Sequence, residues 1–103
     1  MELVVSTYRL TARLPSAEQF GLVAQMRRAA VSIPSNIAEG FGRQATGEYR
    51  HHLSVALGSV LELETQLLIC ERLGFVDPQE TAAALDEAQQ LSRMLATLVS
   101  RLR

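Results

Sequence analysis

Three groups of residues carry side chains able to do chemistry. The first is the pair Arg27-Arg28, set in the helical-looking stretch Gln25 to Gly42, which reads QMRRAAVSIPSNIAEGFG. At about 100° per residue, Arg27 falls at the centre of a stripe formed by Phe20, Val23, Ala30, Val31, Pro34 and Ala38. Arg28 falls to one side, near Ser32, Ser35 and Glu39. A charge on an apolar face needs a partner, a ligand or a neighbouring subunit. The second group lies on the next helical segment, where Glu64 sits between Leu57, Leu61 and Leu68 on one side and Val60 and Leu67 on the other. Two displaced charges of opposite sign on adjacent segments predict a structural ion pair, Arg27 with Glu64, of the kind that sets register and oligomeric state. The alternative is that Arg27 and Arg28 line a ligand-binding channel.

The third group offers less. His51 and His52 point about 100° apart on a helix and cannot share one metal. Di-iron bundles need Glu-x-x-His on two helices, and that pattern is missing, so the histidines read as surface residues. Cys70 is the only cysteine, which excludes an intramolecular disulfide and a thiolate cluster. Its apolar setting, LLICERL, reads as an inert core thiol. Ser32 and Ser35 have no base at hand, and the sequence contains no nucleophile elbow and no phosphate loop. Gly40 and Gly42 read as a helix stop, and Gly58-Ser59 as a point of close helix approach. No enzyme, metal or cofactor site is expected.

The elements that must position these residues are helical. Residues 2–14 place Leu3, Leu10 and Leu14 on one face and stop at Pro15. Ser16-Ala-Glu-Gln19 has capping-box spacing and opens a helix over 17–41. Pro34 interrupts that helix, which either kinks and continues or breaks at Ile33 and restarts on Ser35 or Asn36. Ile37, Ala38 and Phe41 carry the stripe onward and favour a proline kink at Pro34. A third helix over 47–73 repeats Leu53, Ala56, Leu57, Val60, Leu63, Leu67 and Cys70, and Gly74 ends it. Leu61 and Leu68 broaden its apolar face to nearly half the circumference, so it is either central to a bundle or covered by another subunit. Asp77-Pro78 starts a fourth helix over 78–102 with an apolar stripe of Ala84, Ala88, Leu91, Leu95, Leu98 and Leu102. Short turns between four helices predict one all-α domain, an antiparallel up-down four-helix bundle. The first helix is about half as long as the others, which leaves part of the bundle uncovered.

The charge balance gives no footprint for nucleic acid: ten basic residues stand against eleven acidic ones, for a net charge of −1. All ten basic residues are arginine, a bias that a GC-rich genome produces as readily as binding chemistry does. Arg28, Arg43 and Arg50 are the candidates for contact with nucleic acid or a protein partner, through a basic patch at the turn between the second and third helices. No secretory leader is expected, and no apolar run approaches the ~18 residues of a spanning helix. A cytoplasmic protein without a membrane partner is the expectation.

Three runs then carry a resemblance: Arg27 to Gly40 (RRAAVSIPSNIAEG), Ala56-Leu-Gly-Ser59, and Glu62-Leu-Glu-Thr-Gln-Leu67. With Phe20-Gly-Leu before them, the chain resembles the bacterial four-helix bundle proteins known as 23S rRNA intervening-sequence proteins. These are related to the accessory variability protein of diversity-generating retroelements. The resemblance implies a kinked up-down bundle, a ring-like homopentamer and no established enzymatic activity. It also implies RNA, DNA or a nucleic-acid-processing protein as a partner, although the strongly basic surface of the retroelement relatives is missing. Family members carry a longer first helix than the one starting at Met1. The functional expectation is a non-enzymatic homo-oligomeric assembly or binding module for nucleic acid or a ribonucleoprotein. The alternative is a protein-binding scaffold without nucleic-acid contact.

Overall fold

The computed structural model describes residues 2–42 and 46–102. Four α-helices follow one another: α1 (Glu2–Thr11), α2 (Ala24–Phe41), α3 (Thr46–Arg72) and α4 (Pro78–Arg101). Between α1 and α2 lie a 3-10 turn, Ser16–Glu18, and a π-helical turn, Gln19–Val23. α1 packs against α2 and α4, and α3 packs against the same two from the opposite corner. Neighbouring helices run antiparallel: Met26 meets Cys70 and Ser32 meets Ser59 across α2 and α3, while Arg50 reaches Val99 across α3 and α4. The result is an up-down four-helix bundle measuring 43 × 23 × 18 Å.

α3 forms the spine. Its Leu53, Ala56, Val60, Leu63, Leu67 and Cys70 are buried at spacings of three and four, which is one face of an α-helix. By length and composition α3 is also apolar enough to cross a membrane, contrary to the expectation that no run is. Those six core-facing residues are instead packed against the bundle. Gly74, at φ 76°, ends the helix. Its amide donates to the Glu71 carbonyl and that of Phe75 to the Cys70 carbonyl, both at 3.0 Å, which is a Schellman closure. At the start of α4 the Asp77 amide donates to Glu80 Oε1 at 3.2 Å, with Pro78 in the first turn.

Several boundaries differ from expectation. α1 ends at Thr11, three residues early, although turn-type hydrogen bonds carry the chain on and Leu14 remains buried. The 3-10 turn that follows has no side-chain cap hydrogen bond, so Ser16 is not a capping-box residue. The regular part of the second helix begins only at Ala24. A π-helical turn uses i→i+5 hydrogen bonds and rotates the preceding residues off the face that a 100° step assigns them. Phe20 is accordingly 95% exposed. α2 itself runs unbroken through Pro34.

The buried face of α2 also sits one step round from the expected stripe. Val23, Met26, Ala29, Ala30, Ile33 and Gly40 are buried, whereas Val31 and Ala38 are exposed. Both readings share Val23 and Ala30. The structure selects the one that buries Met26 and Ile33, because these remove more apolar area from water than Pro34 and Ala38 can. Arg27 moves from the centre of the face to its edge, where a long side chain can pack its stem and keep its head near solvent.

Candidate binding groove

Arg27 points toward α1. Its Nε donates to Thr11 Oγ1 at 2.9 Å, a terminal amino group donates to the Tyr8 carbonyl at 3.4 Å, and its guanidinium carbon lies 4.5 Å from the centre of the Tyr8 ring. Thr11 is free to receive it because its own hydroxyl proton goes to the Thr7 carbonyl at 2.7 Å, which leaves the oxygen lone pairs facing α2. The expected ion pair with Glu64 is not formed. Glu64 is half-buried on α3, and an ion pair forms elsewhere, between Arg13 and Glu80 at 2.5 Å. The one-step rotation of the α2 face explains this, since it swings Arg27 away from α3. The carboxylate of α3 that does meet a neighbouring helix is Glu71, which accepts a hydrogen bond from Thr81 on α4.

Arg27 and Arg28 together line an open groove of about 570 Å³ between α1 and α2, with Tyr8, Val31, Ser32 and Ser35 completing its walls. Arg28 is exposed and has no hydrogen-bond or ion-pair partner among the described residues. Neither arginine has an acid three or four residues away on α2. The groove is thus apolar in its walls with two guanidinium groups at its edge, a composition typical of ligand sites of a few hundred Å³.

The other candidates lie elsewhere. Arg50 is half-buried and donates to the Val99 carbonyl at 3.4 Å, in the last turn of α4, an oxygen that also accepts from the Leu102 amide at 3.3 Å. It stands level with Gly40, which touches Tyr49 and His52. Arg28 is twelve residues back along α2 from there, or about 18 Å, so the two do not form one patch. Arg43 lies outside the described residues.

A polar seam between α2 and α3 was not foreseen. Ser59 Oγ donates to Ser32 Oγ at 2.9 Å, and Asn36 Nδ2 donates to the same Ser32 oxygen at 3.0 Å and to the Ser32 carbonyl at 2.9 Å. Asn36 Oδ1 then faces His52 Nδ1 at 3.2 Å, so His52 is a half-buried member of a network while His51 is exposed. Half of the signal was available in the sequence, since Ser32 and Asn36 are four apart and share one face of α2; that Ser59 meets them depends on how α3 packs. Gly40 was also misread. A Cβ there would lie 2.9 Å from Tyr49 Cδ1 and 3.3 Å from His52 Cβ, whereas one on Gly58 would meet nothing within 4 Å. The close helix approach is at Gly40.

Among the described residues no group of three or more His, Cys, Asp or Glu side chains could hold a metal ion. A helical bundle with a surface groove and a polar inter-helix seam defines an all-α protein whose distinctive features are surfaces. The chain belongs to the 23S rRNA-intervening sequence protein family, whose profile matches residues 1–97. A solved structure of a protein of unknown function from the S23 ribosomal protein family of Bacteroides thetaiotaomicron has the same fold. It superposes with a TM-score of 0.81 at 20% identity, covering 93% of this chain and 87% of that one. No curated protein matches the chain.

Proposed function

We propose that this protein acts by binding rather than catalysis, as a homo-oligomeric helical module, a five-membered ring by the resemblance above, whose partner is nucleic acid or a ribonucleoprotein. One observation carries the assembly: the back of α3 exposes Leu61, Leu68, Ile69 and Leu73 while its front is fully packed. Leu61 and Leu68 are 48% and 49% exposed on one side of the longest helix. Apolar side chains left exposed behind a fully packed face are candidates for a contact site. The nucleic-acid partner is supported by the arginine groove and by the family's description in terms of 23S rRNA intervening sequences.

The near-neutral charge favours a second reading, a scaffold that binds only protein. Light scattering and a filter-binding titration against structured RNA and DNA over a range of salt test both. The proposal expects a mass several times 11.3 kDa and binding that weakens as salt rises. A monomer at micromolar concentration would remove the assembly, and salt-independent or absent binding would leave the scaffold.

A further inference from the structure

The geometry points to the α1–α2 groove as a phosphodiester site for single-stranded nucleic acid, with phosphate held at the Arg27–Arg28 pair. This inference rests on the nucleic-acid part of the proposed function and says where on the bundle such a partner is held. Both arginines line one groove in a chain whose net charge is −1, and no partner of either among the described residues is charged. Arg27 uses a hydroxyl, a carbonyl and an aromatic face. Those three contacts hold its guanidinium in place and leave its second terminal nitrogen without a partner among the described residues. A fixed guanidinium loses little freedom on binding, and its remaining terminal nitrogen still offers two N–H donors to phosphate oxygens. Arg28, one residue on and exposed, adds a complete donor fork and the second charge.

The rest of the groove selects the kind of phosphate. Tyr8 and Val31 are partly exposed apolar walls beside the guanidinium groups. A free inorganic anion makes no use of them, whereas the sugar and base of an unpaired nucleotide do, as in single-strand sites that combine basic and aromatic side chains. A groove of about 570 Å³ has room for a nucleotide or two but not for a duplex with its bases stacked inside.

The test is a fluorescence-anisotropy titration of fluorescein-labelled oligo(rU), oligo(dT) and a blunt RNA duplex against the full chain and two variants at stepped salt. Arg28→Gln removes a side chain with no structural partner, so circular dichroism should be unchanged. Arg93→Gln with Arg101→Gln removes two exposed arginines of α4, neither of which lines the groove. The site predicts that single strands bind better than the duplex, and the rU and dT arms separate RNA from DNA. It also predicts that Arg28→Gln weakens single-strand binding about tenfold and lowers the salt slope by about 0.7, one phosphate contact on a single strand. The α4 double variant should stay within about twofold of the parent. Equal binding by Arg28→Gln and the parent, or equal losses in both variants, would overturn the site while leaving nucleic-acid binding standing. A parent chain that binds none of the three probes would overturn both.

Discussion

The Arg27 guanidinium stacks 4.5 Å from the centre of the Tyr8 ring while its Nε is held by Thr11 one helical turn further along α1. α1 is only ten residues long, and an isolated helix of that length is not stable in water. Arg27 therefore does more than occupy an edge: it fastens the shortest helix of the bundle to α2 through one aromatic face and two oxygens.

That fastening predicts coupling between Arg27 and Thr11. Arg27→Met should cost about 1–2 kcal/mol, the sum expected for a cation–π contact at a partly exposed site and a charged hydrogen bond. In a cycle of Arg27→Met and Thr11→Val, measured by urea unfolding, the interaction energy should be about 0.5–1.5 kcal/mol. The parallel cycle with Glu64→Leu should give additive effects, because Arg27 and Glu64 do not meet.

Gly40 and Gly58 predict opposite responses to the same change. Both are helical and neither has a positive φ, so each should gain about 0.5–1 kcal/mol from alanine by propensity alone. At Gly58 nothing obstructs the new methyl group, and Gly58→Ala should raise the thermal midpoint. At Gly40 the methyl group would press on Tyr49 at 2.9 Å, and overpacking costs typically about 1–3 kcal/mol. Gly40→Ala should therefore lower the midpoint. Two shifts of the same sign would show that α2 and α3 are not held at close approach there.

The repeat of Leu53, Ala56, Val60, Leu63, Leu67 and Cys70 was legible because every alternative face of α3 would bury charge or expose more leucine. The four helices, their antiparallel order and the stops at Gly74 and Asp77-Pro78 followed from local chemistry of the same kind. The face of α2 was not legible, since two apolar stripes one residue apart share Val23 and Ala30. Only packing against α3 decides in favour of Met26 and Ile33. The error in Arg27's partner descends from that single step. Phe20 was misplaced for another reason: the π-helical turn that rotates it outward leaves no mark in residue spacing. Thr7 and Thr11, both buried in α1, were passed over as polar, although each hydroxyl bonds the carbonyl four residues back.

Burial pushes the Cys70 thiol above its ordinary value of 9.0, with Glu18 and Glu71 adding to the shift in the same direction. The thiol therefore stays protonated in the folded chain at pH values where the unfolded chain has begun to ionise. A group whose folded pKa is raised contributes its full stability below the unfolded value and loses it as pH climbs. From about pH 9 upward, unfolding should become easier in the parent than in Cys70→Ala, by at most about 1.4 kcal/mol per pH unit. Denaturation midpoints at pH 7, 9 and 10 for both proteins give the comparison. The alanine variant carries a constant cavity cost, so only the slopes bear on the question, and parallel slopes would place the thiol in water.

The exposed back of α3 makes the sharpest prediction about assembly. Leu61 and Leu68 are seven residues apart, two turns along one line of the helix, with Ile69 and Leu73 beside the second. Leu61→Glu and Leu68→Glu together put two charges where a neighbouring subunit would have to bury them, and an unpaired buried charge costs several kcal/mol. Both positions face away from the core, so the isolated bundle should keep its helical circular dichroism and most of its thermal stability. Light scattering should then report a species near 11.3 kDa in place of the oligomer that the proposed assembly expects of the parent. The control is Met94→Glu on α4, also exposed and on a different corner. If the α3 double variant kept the parent's mass while Met94→Glu reduced it, the subunit contact would lie on α4.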